Sequence, residues 1–456
     1  MSKTMAKVQR RALSLGVGAI RRSGLLPKSF PDGLGDDKKL LGRSLKAEVV
    51  VYFADTVRGL YQIEPWYGAL RQLHLKHKVV IFGTDSRCIR RIRQDSGLPA
   101  FTLSHYATAD DLISRSPIRL VLYVNHNSGN FFMLRFPNLV HVSIMHGDSD
   151  KVVSISNQTK AYDYTFVAGQ AAIDRLETYL PRFDASGRCL IIGRPQVETP
   201  GLTPTHLEQN DHAAGLRTVL YAPTWEGGVP SAAYSSLQAL GRPIVERILA
   251  HRDYRLVYRP HPLTGVRLAE FAETDQTLRQ LVERAAAARP EPDSHQVSLG
   301  GDAMVDLAKA DLLISDVSSL AIDFLPFNRP MLVTRPTAPG VVTAATRLMQ
   351  TVPRLDPDGL DQLMETIDRQ ISSDPDQATR AATTTYYLGQ VEPGASTKAF
   401  VGACSAMIDL ANASRSAVAA RVESRRRGRP AAQDDPWPVA QQFVKEASPS
   451  SGGEAA

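Results

Sequence analysis

Short apolar runs separated by helical patterns constrain this chain more than any other feature of its sequence. Residues 49–54, 79–82, 120–124, 140–145 and 164–167 each read as a strand buried on both faces. Amphipathic stretches lie between several of them, such as 65–75, where Trp66, Leu70 and Leu73 share one helical face. A second series follows at 219–222, 255–258, 297–299, 312–314 and 331–333, with helical segments at 243–250 and 268–288. Alternation of this kind is the βαβ rhythm of a doubly wound parallel sheet.

Two series predict two sheets, and 456 residues are too many for one compact core. Gly193-Arg194-Pro195 and the proline- and threonine-rich stretch at 200–211 mark the junction. The expected order is an arm at 1–46, an N-terminal Rossmann-like domain at 47–198, a linker at 199–214 and a C-terminal Rossmann-like domain at 215–412. Beyond it, residues 413–456 turn to Ala, Ser, Arg, Pro and Gly and read as a disordered tail. Two such domains make a GT-B-type α/β fold, with ligands expected in the cleft between them.

The formal net charge of +6 is unevenly spread. Before Asp32 there is no acidic residue, whereas Lys3, Lys7, Arg10, Arg11, Arg21, Arg22 and Lys28 are all basic. Val8, Ala12, Leu15 and Ala19 would share a helical face there, suiting contact with an anionic membrane surface. No run approaches the roughly 20 apolar residues that a membrane span requires. The expectation is a cytoplasmic protein, peripheral on the inner face of the cell membrane. Cys88, Cys189 and Cys404 lie far apart, which suggests a reducing compartment with no disulfide framework and no metal-ligand spacing. No metal or cofactor is expected. Arg425-Arg426-Arg427 reads as part of a solvated tail, so no nucleic-acid partner is expected either.

The candidate site residues sit where strands end. In 310–324 an apolar strand stops at Ser315, Asp316, Ser318 and Ser319 and restarts as a short helix that Pro326 interrupts. Backbone N–H groups at such a turn favour an anion, and the serine hydroxyls can either cap the helix or bond a phosphate. The strand ending near Met145 leads into His146-Gly147-Asp148-Ser149-Asp150-Lys151. His146 suits a general base, with Asp148 or Asp150 to orient it and Lys151 for a phosphate; the competing account is a loop histidine bonded to backbone. Thr224 and the Gly227-Gly228 pair follow the next strand, with Trp225 as a pocket wall or a core residue. Arg259-Pro260-His261-Pro262 offers a guanidinium fork and a histidine on a loop stiffened by two prolines. Together these loops suit transfer of a group from a diphosphate donor.

The set His146-Gly147…Lys151, Tyr221-Ala222-Pro223-Thr224-Trp225, Arg259-Pro260-His261-Pro262 and 311–324 resembles the CDP-glycerol glycerophosphotransferase family of teichoic acid polymerases and primases. The resemblance spans roughly residues 49–336 in the family's order. It implies a GT-B fold, peripheral attachment to the inner membrane face, and transfer of a polyol phosphate from a CDP-polyol to a polymer or lipid-linked glycan acceptor, with release of CMP. Carried across, His146 corresponds to the base, Arg259 and His261 to ligands of the donor phosphates, and Ser318 and Ser319 to the pyrophosphate-binding turn. The family commonly places Thr and Pro after the His-Gly pair, where this chain has Asp148 and Ser149.

The alternative is a GT-B glycosyltransferase using a CMP- or UDP-activated sugar for capsule or wall glycan. Retaining enzymes of that kind carry paired glutamates in the donor domain, and no Glu occurs here between Glu291 and Glu365. A third reading is a catalytically dead module that binds wall polymer. The joint presence of His146, Arg259, His261 and both serines argues against it.

Overall fold

The computed structural model describes residues 34–151, 155–198, 216–289, 293–341, 346–389 and 391–427. The N-terminal sheet contains β1 (Val49–Phe53), β2 (Val79–Gly83), β3 (Ala100–Thr102), β4 (Leu120–Tyr123), β5 (Val140–Ser143), β6 (Tyr164–Val167) and β7 (Cys189–Ile191). Helices α1 (Tyr67–Lys76), α2 (Ser86–Asp95) and α3 (Gln170–Tyr179) belong to the same half. Its strand order is β3-β2-β1-β4-β5-β6-β7, and every pairing is parallel.

The second sheet contains β8 (Arg217–Ala222), β9 (Tyr254–Tyr258), β10 (Gln296–Val297), β11 (Leu312–Ser315), β12 (Met331–Thr334) and β13 (Arg354–Leu355). It is also wholly parallel, in the order β10-β9-β8-β11-β12-β13. Around it lie α4 (Arg242–Ala250), α5 (Ala269–Ala286), α6 (Ser319–Asp323) and α7 (Gln377–Leu388), and the last helix among the described residues is α8 (Ala395–Arg426). The two-sheet α/β architecture expected from the sequence is the one observed.

Alternation along each strand explains the layering. Val49, Val51 and Phe53 enter one apolar cluster while Val50 and Tyr52 enter the cluster on the opposite face. Leu220 and Val219 divide in the same way between the two clusters of the second sheet. Each fully buried side chain of this size contributes roughly 1.5–3 kcal/mol. Covered on both faces, a strand has no polar side to alternate with, hence the continuous apolar runs in the sequence.

Doubly wound sheets gather ligands where the strand order reverses. That point lies between β1 and β4 in the first sheet and between β8 and β11 in the second. The register Ala222↔Ser315 therefore sets the 223–228 and 316–319 loops side by side.

Three boundaries differ from the sequence expectation. Asp36 accepts from Thr102 N at 2.9 Å and from Arg93 at 2.6 Å, so the segment from residue 36 packs on the first domain rather than extending an arm. Helix α8 runs past residue 412, and residues 413–426 continue it where a disordered tail was expected. Propagating a helix already anchored by packing carries no new nucleation cost, and the Ala- and Arg-rich sequence there has high helix propensity. The same helix returns to the first sheet: Phe400, Cys404 and Met407 join the cluster of Trp66, Leu70 and Leu73. The C-terminal domain's packing thus ends before residue 395. The expected linker and the arm at 1–33 lie outside the described residues.

Candidate functional site

The turn into His146 is held from three sides. After β5 the chain passes Met145 in a left-handed conformation, φ 45°, which a side-chain-bearing residue rarely adopts. The Met145 carbonyl accepts from Trp66 Nε1 at 2.9 Å and from Gln196 Nε2 at 3.4 Å. His146 Nδ1 lies 3.3 Å from the Val124 carbonyl at the end of β4. A carbonyl only accepts, so Nδ1 carries the proton of the neutral ring and Nε2 keeps its lone pair. Burial, with Arg194 and His126 nearby, pushes His146 down to about 4, so the ring is neutral at physiological pH.

His261 has the opposite tautomer. Leu263 N–H donates to its Nδ1 at 3.1 Å, which leaves the neutral ring's proton on Nε2. Burial, then Lys151, His146 and Arg259, push this group down to about 3. Its ring stacks on that of Trp225 at 6.2 Å, and Trp225 is half-buried rather than part of the core. Both histidines meet the ring of Tyr61 edge-on, His146 at 5.8 Å and His261 at 5.6 Å. The ring of a first-domain residue thus sits between one histidine of each half.

Lys151 bridges the halves as well, donating from Nζ to Thr224 Oγ1 at 3.2 Å and lying 5.4 Å from the Tyr234 ring. Burial lowers it to about 8, against the opposing charge of Asp316. Opposite the His146 loop, Ser319 comes close enough to Gly147 that a Cβ on the glycine would lie 3.1 Å from its own. Ser318 precedes α6 without capping it; its hydroxyl bonds that of Ser315 at 2.9 Å. Of the two roles open to Ser318 in sequence, the helix cap is the one the structure does not use.

Three assigned residues do something other than face a ligand. Asp316 is fully buried and accepts from Thr224 N at 2.6 Å, Ser236 N at 3.2 Å and Thr334 Oγ1 at 2.5 Å. It organises the loops, and burial raises its pKa. Ser315 is likewise buried and donates to the Ala222 carbonyl at 3.1 Å. Arg259 pairs with Asp306 at 2.6 Å and bonds Ser298 and the Gly301 carbonyl, so much of its fork is spent inside the domain. Its partners stand some forty residues away in sequence, which no local pattern announces. Asp148 and Asp150 pair with Arg175 rather than with the His146 ring, Asp150 at 3.1 Å. Orientation of His146 comes from Val124 instead.

Other contributors carried no sequence signal. Glu226, 2 % exposed, accepts from the backbone N–H groups of Gly265, Arg267 and Leu268 at 2.8–3.2 Å and so anchors the segment after His261. Arg194 and Asp323 form a buried ion pair between the halves at 2.9 Å.

Residues 156–338 match the family of CDP-Glycerol:Poly(glycerophosphate) glycerophosphotransferases. The matched stretch contains Thr224, Arg259, His261 and the 315–319 loop, and begins after His146 and Lys151. No curated protein matches the chain in sequence. Among solved structures, the wall teichoic acid polymerase TagF has a TM-score of 0.51 at 15% identity, over 89% of this chain and 97% of its own. The same polymerase with a single histidine-to-asparagine change, soaked with CDPG, has a TM-score of 0.52 at 15% identity, over 90% and 99%. MnaA of S. aureus, in a co-structure with UDP, has a TM-score of 0.52 at 12% identity, over 80% and 97%. At such identities the likeness is one of fold, two Rossmann-like domains in a GT-B arrangement.

Proposed function

We propose, from the premise that this chain belongs through residues 156–338 to the CDP-glycerol:poly(glycerophosphate) glycerophosphotransferase family, that it transfers a polyol phosphate from a CDP-polyol to a hydroxyl of a surface glycopolymer. The observation that carries the reading is the pair of opposed histidine tautomers on either side of Tyr61. One ring offers a lone pair and the other an N–H, the two things an in-line displacement at phosphorus needs.

The donor's phosphates lie against the 223–228 and 315–319 loops at the switch point of the second sheet, near Lys151, Thr224, Ser318 and Ser319. An acceptor hydroxyl attacks the distal phosphorus, the one bearing the polyol. A new O–P bond forms as the bond to the bridging oxygen breaks, and CMP leaves with that electron pair. The acceptor's proton passes to Nε2 of His146, while His261 Nε2–H and the Lys151 ammonium stabilise the charge gathering on the leaving phosphate. Asp316, Ser315 and Glu226 hold these loops in place without touching the reacting atoms.

The enzyme works as a peripheral protein, with the basic residues before Asp32 on anionic lipid. No described helix is long and apolar enough to cross a membrane. The nucleotide-sugar alternative draws on the shared fold alone. A direct test supplies CDP-glycerol, CDP-ribitol, UDP-sugars and CMP-sugars with a polyol phosphate oligomer as acceptor. CMP release coupled to acceptor extension from a CDP-polyol is expected. Turnover of the sugar nucleotides alone would overturn the proposal.

A further inference from the structure

Helix α2 carries a stripe of side chains that the proposed reaction leaves unused. Arg87, Arg90, Arg91 and Gln94 stand at i, i+3, i+4 and i+7, a spacing that puts all four on one face. The other face, with Cys88, Ile89 and Ile92, is buried in the first-domain core together with Leu60. The stripe is not simply a solvated surface. With Val57 and Leu60 of the 3-10 segment Val57–Gln62 it lines a groove whose free space is about 340 Å³. That lies within the span of about 300–1,000 Å³ that ligand clefts occupy.

Its charge is one-sided. Three arginines line it and, among the described residues, no acidic one does. Arg87 and Arg91 each pair with one carboxylate, Asp85 at 3.1 Å and Asp95 at 2.7 Å. A guanidinium has several N–H donors, so both keep donors for a further anion. Arg90 is exposed and has no ion pair or hydrogen bond among the described residues. Val57, 39 % exposed, and Leu60 add apolar surface beside the arginines.

The groove is tied to the candidate site through its wall. Phe53 and Gly83, the last residues of β1 and β2, are paired in register. The 57–62 segment and α2 therefore both start from the carboxyl end of the first sheet. Leu60 is the neighbour in sequence of Tyr61, whose ring meets His146 and His261 edge-on. The segment that walls the groove thus also reaches the two histidines.

Guanidinium groups hold phosphate oxygens by charge-assisted hydrogen bonds, and successive turns of a helix offer them about 5 Å apart along its axis. The matching ligand carries repeated negative charges with short carbon links between them. A phosphodiester-linked polyol chain is such a ligand, its phosphates meeting arginines and its carbon skeleton lying on Val57 and Leu60. A lone phosphate would leave the apolar surface unused.

We propose that this groove binds the phosphodiester backbone of the acceptor polymer, behind the hydroxyl that reacts. The proposal rests on the function given above and adds how a polymer is told from a free polyol. The groove belongs to the first domain, whereas the loops at 223–228 and 315–319 belong to the second, which sets it apart from the donor's phosphates.

The test uses the full chain, Arg90→Glu, and Arg284→Glu on α5 as the same change of charge in the other domain. Both arginines are exposed, so neither variant should disturb folding. Binding of a fluorescent glycerol phosphate oligomer, read by polarisation without donor, is expected to weaken about tenfold in Arg90→Glu and to stay near wild type in Arg284→Glu. With CDP-glycerol saturating, the acceptor KM should rise in Arg90→Glu, and more for an oligomer than for a single glycerol phosphate. No oligomer binding by the wild type, equal binding by Arg90→Glu, or equal loss in Arg284→Glu overturns the groove. Inorganic phosphate that displaces the oligomer as well as unlabelled oligomer does, at equal phosphate concentration, would make it a site for any anion and overturn the chain. Loss confined to co-sedimentation with phosphatidylglycerol vesicles, with oligomer binding intact, would assign the arginines to lipid headgroups and overturn it too. Arg90-dependent oligomer binding in a protein that releases no CMP from CDP-glycerol would support the groove and fault the proposed reaction instead.

Discussion

At the scale of single residues the two histidines should separate cleanly. His146→Ala removes the proposed base and is expected to lower kcat by about 10²–10⁴-fold while leaving CDP-glycerol affinity near wild type, as isothermal titration would report. His261→Ala removes the proposed donor to the leaving phosphate and should weaken CDP-glycerol binding as well as turnover. Equal loss of donor affinity in both would place the base elsewhere. The pH profile carries its own sign. His146 must be neutral, and burial holds it at about 4, so activity should persist well below the ordinary histidine range and fall only as pH approaches that value. Lys151 must be charged, and burial holds it at about 8, so kcat/KM should fall above that pH. Lys151→Arg should abolish the alkaline limb whatever it does to the maximum, because a guanidinium stays protonated there.

At the scale of elements, the approach of α6 to the His146 loop depends on a missing side chain. Gly147→Ala puts a Cβ 3.1 Å from that of Ser319, and one of the two loops must yield by a few tenths of an ångström. A shift of that size next to the base should lower kcat/KM by about tenfold with little change in thermal midpoint, since small displacements at a reacting centre are costly. Wild-type kinetics in Gly147→Ala would mean that the loops have slack.

This scale also shows what the sequence could and could not disclose. The central strands and their loops were legible because each buried strand is a continuous apolar run and the candidate site residues come straight after it. The edge strands β3, β7 and β13 escaped because two or three residues make no pattern. Tyr61 lies in a short 3-10 segment with no period to mark it as part of a site. Asp316 stands among the serines of a turn, and only the fold shows that its carboxylate points inward to Thr224, Ser236 and Thr334.

Across the whole molecule the halves are joined by buried charge. Arg194 and Asp323 are 5 % and 7 % exposed, and removing one partner strands the other. Asp323→Ala should therefore cost about 3–5 kcal/mol in urea unfolding, while replacing both partners by apolar residues should cost much less. Stability should also fall with acid in a particular window. His126, His146 and His295 are held at about 4 and His261 at about 3, below the unfolded value of 6.5. The unfolded chain then binds more protons, so their contribution is present above about pH 6.5 and lost as pH falls towards 4. Flat stability from pH 7 to 4.5 would contradict that. For the membrane, deleting residues 1–28 should release the protein from anionic vesicles, as should raised salt. Unchanged co-sedimentation would remove any role for the arm.

The return of α8 to the first sheet has a consequence for how the protein comes into being on the ribosome. The core around Trp66, Leu70 and Leu73 is finished by Phe400, Cys404 and Met407, which are translated only after the entire second domain. At about 5–20 residues per second the nascent first domain waits tens of seconds with an apolar groove uncovered. Such a groove is a place for chaperones to dwell and for neighbouring chains on one polysome to exchange their last helices. A message cut short before residue 395 would yield a protein whose second domain is fully encoded and whose first domain never closes.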